Sequence, residues 1–149
     1  MLLADFDLRK PRLGAYLGLP REDALLDCIE GRRAVRDAMI NPGIPRLIVL
    51  ANSSGVTNAS ELLTSQNVRD LVIEFRERYD NRILIFDLPP VLTADDTLAF
   101  LPQLDCALLV AASGVSTKSD VEESQRLLSS SNLLGVALNK AEAHQEAYY

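Results

Sequence analysis

The chain has 149 residues, 48% of them hydrophobic, with 15 basic against 21 acidic side chains and a net charge of -6. That length and composition argue against disorder and suit one globular domain with its own core, while the acidic balance argues against a nucleic-acid binder, which needs a basic footprint for phosphate. No apolar run approaches the roughly 20 residues that cross a bilayer, and the N-terminus lacks the basic, apolar and small-residue phases of a signal peptide, so the chain reads as cytoplasmic.

In chain order, Met1-Leu2-Leu3-Ala4 reads as a buried strand that runs straight into Asp5, Asp7 and the basic cluster Arg9, Lys10 and Arg12. After a turn at Pro11, short helical pieces are expected around 13–17 and 23–30, punctuated by Gly18, Pro20 and Gly31. "RLIVLAN" is a second strand, apolar on both faces as in a parallel sheet covered on each side. Asn58 followed three positions later by Glu61 resembles a capping box and predicts one long helix to about Tyr79, with Val68, Leu71, Val72 and Phe75 on its buried face. "RILIFD" is a third strand ending at Asp87, stopped by Pro89-Pro90, and Thr93 with Asp96 is expected to cap the next helix. "DCALLVAAS" gives a fourth strand, residues 117–131 a helix, and "LLGVALNK" a fifth strand. Cys28 and Cys106 lie far apart in apolar contexts and are expected as buried, reduced thiols.

Strands alternating with helices predict a doubly wound, mostly parallel α/β domain over residues 1–143, followed by a short flexible tail, 144–149, that ends in Tyr148 and Tyr149. Ligands in such sheets bind beyond the carboxyl ends of the strands. Asp5 and Asp7 end the first strand, Asp87 the third and Asn139 the last, so these are the candidate site residues. Three aspartates at one sheet edge suit a metal or phosphate site, because Mg²⁺ takes carboxylate oxygens and keeps several waters beside phosphates. Each has a plainer reading as a turn or cap residue, and the basic cluster as a solvated turn.

These segments carry a resemblance. "LLADFDLRKP" looks like the second Walker-type motif of the bacterial tyrosine kinases, and "ILIFDLPPVLTADD" resembles their Walker B motif. "NASELLTS" and "LLGVALNK" are similar to two further stretches of that family, in the same order, and the wider ParA and MinD-like ATPases share the fold and parts of the first two motifs. The resemblance implies a P-loop NTPase type of fold and an ATP- and Mg²⁺-dependent tyrosine autokinase that regulates capsular or extracellular polysaccharide export. It implies that Asp87 binds Mg²⁺ with support from Asp7, that Asp5 orients or deprotonates the attacking tyrosine hydroxyl, and that Arg9 neutralises phosphate charge. It further implies that Asn139 contacts the adenine and that Tyr148 and Tyr149 are phosphoacceptors. The implied partners are a membrane-embedded activator or polysaccharide co-polymerase and, in a full-length protein, other copies of the chain, with no nucleic acid. The implied location is the cytoplasmic side of the inner membrane.

The sequence departs from the family at Leu88, where threonine is usual, and at Ala59, where proline is usual. It contains no G-x-x-x-x-G-K-[S/T] loop, whose backbone amides and lysine cradle the phosphates. The expectation is therefore a P-loop-type fold lacking its first strand-loop-helix unit, inactive as this chain and weak in ATP binding. A positioning ATPase of the ParA or MinD kind and a non-catalytic fragment that binds a membrane activator are the alternatives.

Overall fold

The opening apolar run forms β1 (Leu2–Asp5), the middle strand of a parallel sheet ordered β2-β1-β3, with β2 at Ile48–Leu50 and β3 at Leu84–Asp87. The structure is a computed structural model and describes residues 1–78, 81–93 and 95–141. Register pairs Leu3 with Val49 on one side and with Ile85 on the other, and sets Asp5 beside Asp87. The two carboxylates that the sequence places 82 positions apart thus share one sheet edge.

Short helices α1 (Leu13–Tyr16), α2 (Ala24–Ile29) and α3 (Val35–Ala38) connect β1 to β2, and α4 (Ala59–Leu63) and α5 (Gln66–Arg78) connect β2 to β3. After β3 comes α6 (Asp96–Phe100). Val68, Leu71, Val72 and Phe75 form the buried stripe of α5, as the helical spacing requires. Phe75 reaches the ring of Phe86 on β3, and Phe6, Phe86 and Phe100 pack at centroid separations of 4.9–5.4 Å. Edge-to-face pairs of Phe86 with Phe6 and Phe100, and a tilted pair with Phe75, join the sheet to α5 and α6 in one core.

The expected single helix after Asn58 is two helices. Thr64 donates its hydroxyl to the carbonyls of Ser60 and Glu61, and Ser65 accepts the amide of Val68 through its own hydroxyl, so α4 closes and α5 restarts. Asn58 makes no side-chain cap, and Thr93 bonds Pro90 instead of capping α6. Tyr79, the expected helix end, lies outside the described residues.

The chain divides into two compact units, Met1–Gln103 and the remainder from Leu104. The second unit contains β4 (Ala107–Ala112), α7 (Lys118–Leu127) and β5 (Leu133–Asn139), with β4 parallel to β5. Here a capping box does form: Thr117 accepts the amide of Asp120, and Asp120 accepts that of Thr117. Cys28 is half-buried and Cys106 is exposed, so neither is the fully buried thiol expected. Parallel strands ordinarily bury both faces, yet Ile85 of β3, Leu108 and Val110 of β4 and Leu134, Val136 and Leu138 of β5 are exposed. These are apolar surfaces that the described residues leave uncovered.

Candidate functional site

At the carboxyl ends of β1 and β3 a cavity of about 540 Å³ opens, lined by Asp5, Asp7 and Asp87, by Arg9, Lys10, Arg12 and Tyr16, and by Leu88, Pro89, Pro90 and Thr93 of the loop after β3. The chain builds it from two segments. One is the turn that follows β1, and the other is the Pro89-Pro90 loop, whose prolines cannot continue the ladder and so turn the chain away from the sheet.

Asp5 is fully buried. Its Oδ2 accepts the amides of Arg12 and Leu13 at 3.1 and 2.9 Å, at the start of α1, while its Oδ1 is buried and has no hydrogen-bond partner. Burial is the main cause that pushes its carboxyl up to about 6, opposed by the Leu13 amide and reinforced by the charge of Asp87. Asp87 is raised as well, first by desolvation and second by Asp7. Asp7, half-buried, accepts the amide of Lys10 at 3.0 Å.

Asp5, Asp7 and Asp87 line one cavity, and the buried Oδ1 of Asp5 has no hydrogen bond there, so these are the residues that could hold a cation. Among the described residues no three His, Cys, Asp or Glu side chains are gathered tightly enough to hold a metal ion by themselves. Mg²⁺ ordinarily takes one or two protein carboxylates and leaves its remaining positions to water and phosphate.

Of the other candidates, Arg9 directs its guanidinium at Asp96, with Nε to Oδ2 at 2.5 Å and Nη2 to Oδ1 at 3.2 Å. Asn139 ends β5 in the second unit, exposed, and its Oδ1 accepts the amide of Lys140. Tyr148 and Tyr149 lie outside the described residues. Tyr16, 82% exposed, lines the acidic cavity.

No protein-family model matches the chain. It is 30% identical over 153 residues to the tyrosine-protein kinase YwqD of Bacillus subtilis, covering all of this chain and 64% of that protein. It is 27% identical over 150 residues to the tyrosine-protein kinase CpsD of Streptococcus pneumoniae, covering 99% of this chain and 65% of that one. Among solved structures it superposes on the kinase domain of the Escherichia coli tyrosine kinase ETK with a TM-score of 0.84 at 27% identity, covering 99% of this chain and 58% of that one. The chain is homologous to the bacterial tyrosine kinases.

Its fold is that of the wider MinD-like P-loop ATPases: the cell-division ATPase MinD of Pyrococcus furiosus superposes with a TM-score of 0.67 at 23% identity, over 92% of this chain and 58% of that one. The chain spans 64% of YwqD, 65% of CpsD and 20% of EpsB from Ralstonia solanacearum, to which it is 31% identical. Among the described residues no helix is long and apolar enough to cross a membrane.

Sequence reasoning missed Ser60 and the pairing of Asp96 with Arg9. Ser60 stands inside a stretch singled out for its family likeness, and Asp96 reads locally as a helix-start carboxylate. The usable signal was chemical: a carboxylate at an element that must pack on the sheet needs a cation, and Arg9 was the nearest arginine to the site motif.

Proposed function

We propose that the acidic cavity is the metal and acceptor side of a protein-tyrosine kinase centre, which transfers the γ-phosphoryl group of ATP to a tyrosine hydroxyl. The observation that carries this reading is Asp5: a fully buried carboxylate, anchored through one oxygen, with the other oxygen unpaired beside Asp7 and Asp87.

Phosphoryl transfer asks a protein mainly for positioning and charge neutralisation. Asp87 and Asp7 are the residues that would hold Mg²⁺, which when bound neutralises charge on the transferred group. Asp5, raised to about 6, is matched to accepting a proton from a tyrosine hydroxyl near neutral pH, because its base strength exceeds that of an ordinary aspartate while it stays mostly ionised. The amides of Arg12 and Leu13 hold it in one orientation through Oδ2 and leave the buried Oδ1 without a hydrogen bond. Tyr148 and Tyr149 are the proposed acceptors, Asn139 the proposed adenine contact, and regulation of capsular or extracellular polysaccharide export, through a membrane-embedded activator, the proposed biological role.

These 149 residues supply no glycine-rich phosphate cradle. That observation favours a second reading, a non-catalytic domain that binds the kinase's partners. The test is a phosphotyrosine assay on the protein expressed from its complete gene, with ATP and Mg²⁺, beside calorimetric titration of ATP·Mg²⁺ into the 149-residue chain. The proposal expects tyrosine phosphorylation that Asp87→Asn abolishes, and binding weaker than micromolar by the chain alone. ATP hydrolysis without phosphotyrosine would instead indicate a positioning ATPase, and retained partner binding without nucleotide binding would indicate the regulatory reading.

A further inference from the structure

Three segments singled out in the sequence meet at a single side chain. Asp96, at the first turn of α6, has a carboxylate that is 1% exposed. Arg9, two residues beyond Asp7, contacts it with two nitrogens, and Ser60 of α4 donates its hydroxyl to Oδ1 while accepting Arg9 Nη2 at 2.8 Å. Each member of this triangle bonds both of the others. Arg9 and Ser60 hold the Asp96 carboxyl below its ordinary value, with the Arg9 hydrogen bond the larger cause, so it is ionised whenever the protein is folded near neutral pH.

The surroundings lock both ends. On the Arg9 side, Val56 donates to the Leu8 carbonyl at 2.8 Å, and a Cβ on Gly55 would lie 2.1 Å from the Arg9 carbonyl oxygen, so the loop after β2 presses directly on the Arg9 backbone. On the Asp96 side, the next residue, Thr97, donates its hydroxyl to the carbonyl of Pro89 at 2.6 Å. Pro89 lines the acidic cavity. Arg9 belongs to one wall of that cavity and Asp96 anchors the other.

We infer that Arg9, Asp96 and Ser60 form a clamp that fixes the two walls of the acidic cavity against each other, and that Arg9 is a positioning residue for Asp5 and Asp7 in place of a phosphate ligand. A guanidinium serves this purpose where an ammonium does not, since its planar fork meets both carboxylate oxygens at once. What the clamp is for rests on the phosphoryl-transfer reading above; that it orders the carboxylates does not.

The test is amide hydrogen exchange, followed by NMR, on the 149-residue chain as it stands and on Arg9→Lys, Asp96→Asn, their double variant and Ser60→Ala. The amides of Arg12 and Leu13, which hold Asp5, report the site, and those of Leu2 and Phe6, bonded to Ile83 and Asp87, report the sheet. Loss of a hydrogen bond to a buried charge corresponds to roughly tenfold or more in a local opening equilibrium. Arg9→Lys and Asp96→Asn should each speed exchange at Arg12 and Leu13 about tenfold relative to Leu2 and Phe6, the double variant should be no faster than either, and Ser60→Ala should do the same to a smaller extent. Should Asp96→Asn not fold, Arg9→Lys and Ser60→Ala carry the comparison.

In the protein from the complete gene, Arg9→Lys should lower kcat about tenfold with KM for ATP unchanged within twofold. Exchange in Arg9→Lys equal to that of the unaltered chain, acceleration of all four amides together, or a rise in KM with kcat unchanged would each overturn the clamp. Failure of the unaltered protein to phosphorylate tyrosine would overturn the kinase reading alone, because the exchange comparison needs no catalysis.

Discussion

Asp5 and Asp96 are both fully buried, both in the first unit, and both close to an arginine in sequence or in space, yet their carboxyls move in opposite directions. Asp96 is surrounded by donors, the Arg9 fork and the Ser60 hydroxyl, and stays below the ordinary aspartate value. Asp5 has two amides on Oδ2 and no hydrogen bond of ordinary geometry on Oδ1, and burial outweighs the Leu13, Asp7 and Arg12 amides to carry it to about 6. Burial alone therefore assigns no role. On the proposed reading, Asp96, whose hydrogen bonds are complete, serves the fold, and Asp5, left incomplete in a cavity, is the candidate for chemistry.

The comparison is broken most severely by exchanging charge for shape. Asp5→Asn keeps the acceptor for the Arg12 and Leu13 amides and removes the base, so tyrosine phosphorylation by the protein from the complete gene should fall by roughly 10²–10⁴ in kcat, measured in a phosphotyrosine time course. Asp96→Asn should act on stability first, lowering the melting temperature by on the order of 5 °C or more, read by thermal denaturation, with a smaller loss of activity.

The pH dependence separates the two residues by sign. Asp5 has a raised folded value, so the native state holds its proton between about 4 and 6 where the unfolded chain has released it. Its penalty is absent below the unfolded value of 3.8, grows as pH rises, and is complete above about 6. Discounted for water reaching the cavity, it amounts to roughly 1–3 kcal/mol. Asp5→Asn should accordingly stabilise the chain at pH 7 to 8 by about that amount and leave it unchanged below pH 4, in urea titrations at each pH. Asp96 behaves in reverse: its contribution is fully present above 3.8 and is lost as pH falls through the depressed folded value.

Smaller effects sharpen the same contrast. Gly55→Ala forces a methyl group onto the Arg9 carbonyl and should cost about 1–3 kcal/mol, while Ser60→Ala should cost about 0.5–1.5 kcal/mol, both measurable by urea denaturation.

The strands were legible because each is a short apolar run bounded by polar or turn residues, and the aspartates at their ends followed from the rule about carboxyl ends of parallel strands. The helix break at Thr64-Ser65 was not, since neither residue is a strong breaker and the turn is made by their hydroxyls back-bonding to particular carbonyls. Nor was the clamp. Its partners lie 36 and 87 positions apart, and Arg9 and Asp96 each have a sufficient local explanation, as a basic turn and a helix-start acid, that conceals the pairing. The homology was legible from four motifs in order. The residues lining the acidic cavity were legible as residue types, while the contrast between two equally buried aspartates depends on hydrogen bonds that only the folded chain defines.

Carbon-13 NMR titration of the aspartate carboxylates in the unaltered 149-residue chain reads that division directly. Asp5 should be half-protonated at about pH 6, and Asp96 should titrate below 3.8. Asp5 titrating at or below 3.8, or Asp96 titrating above Asp5, would contradict the assignment of one to chemistry and the other to the fold.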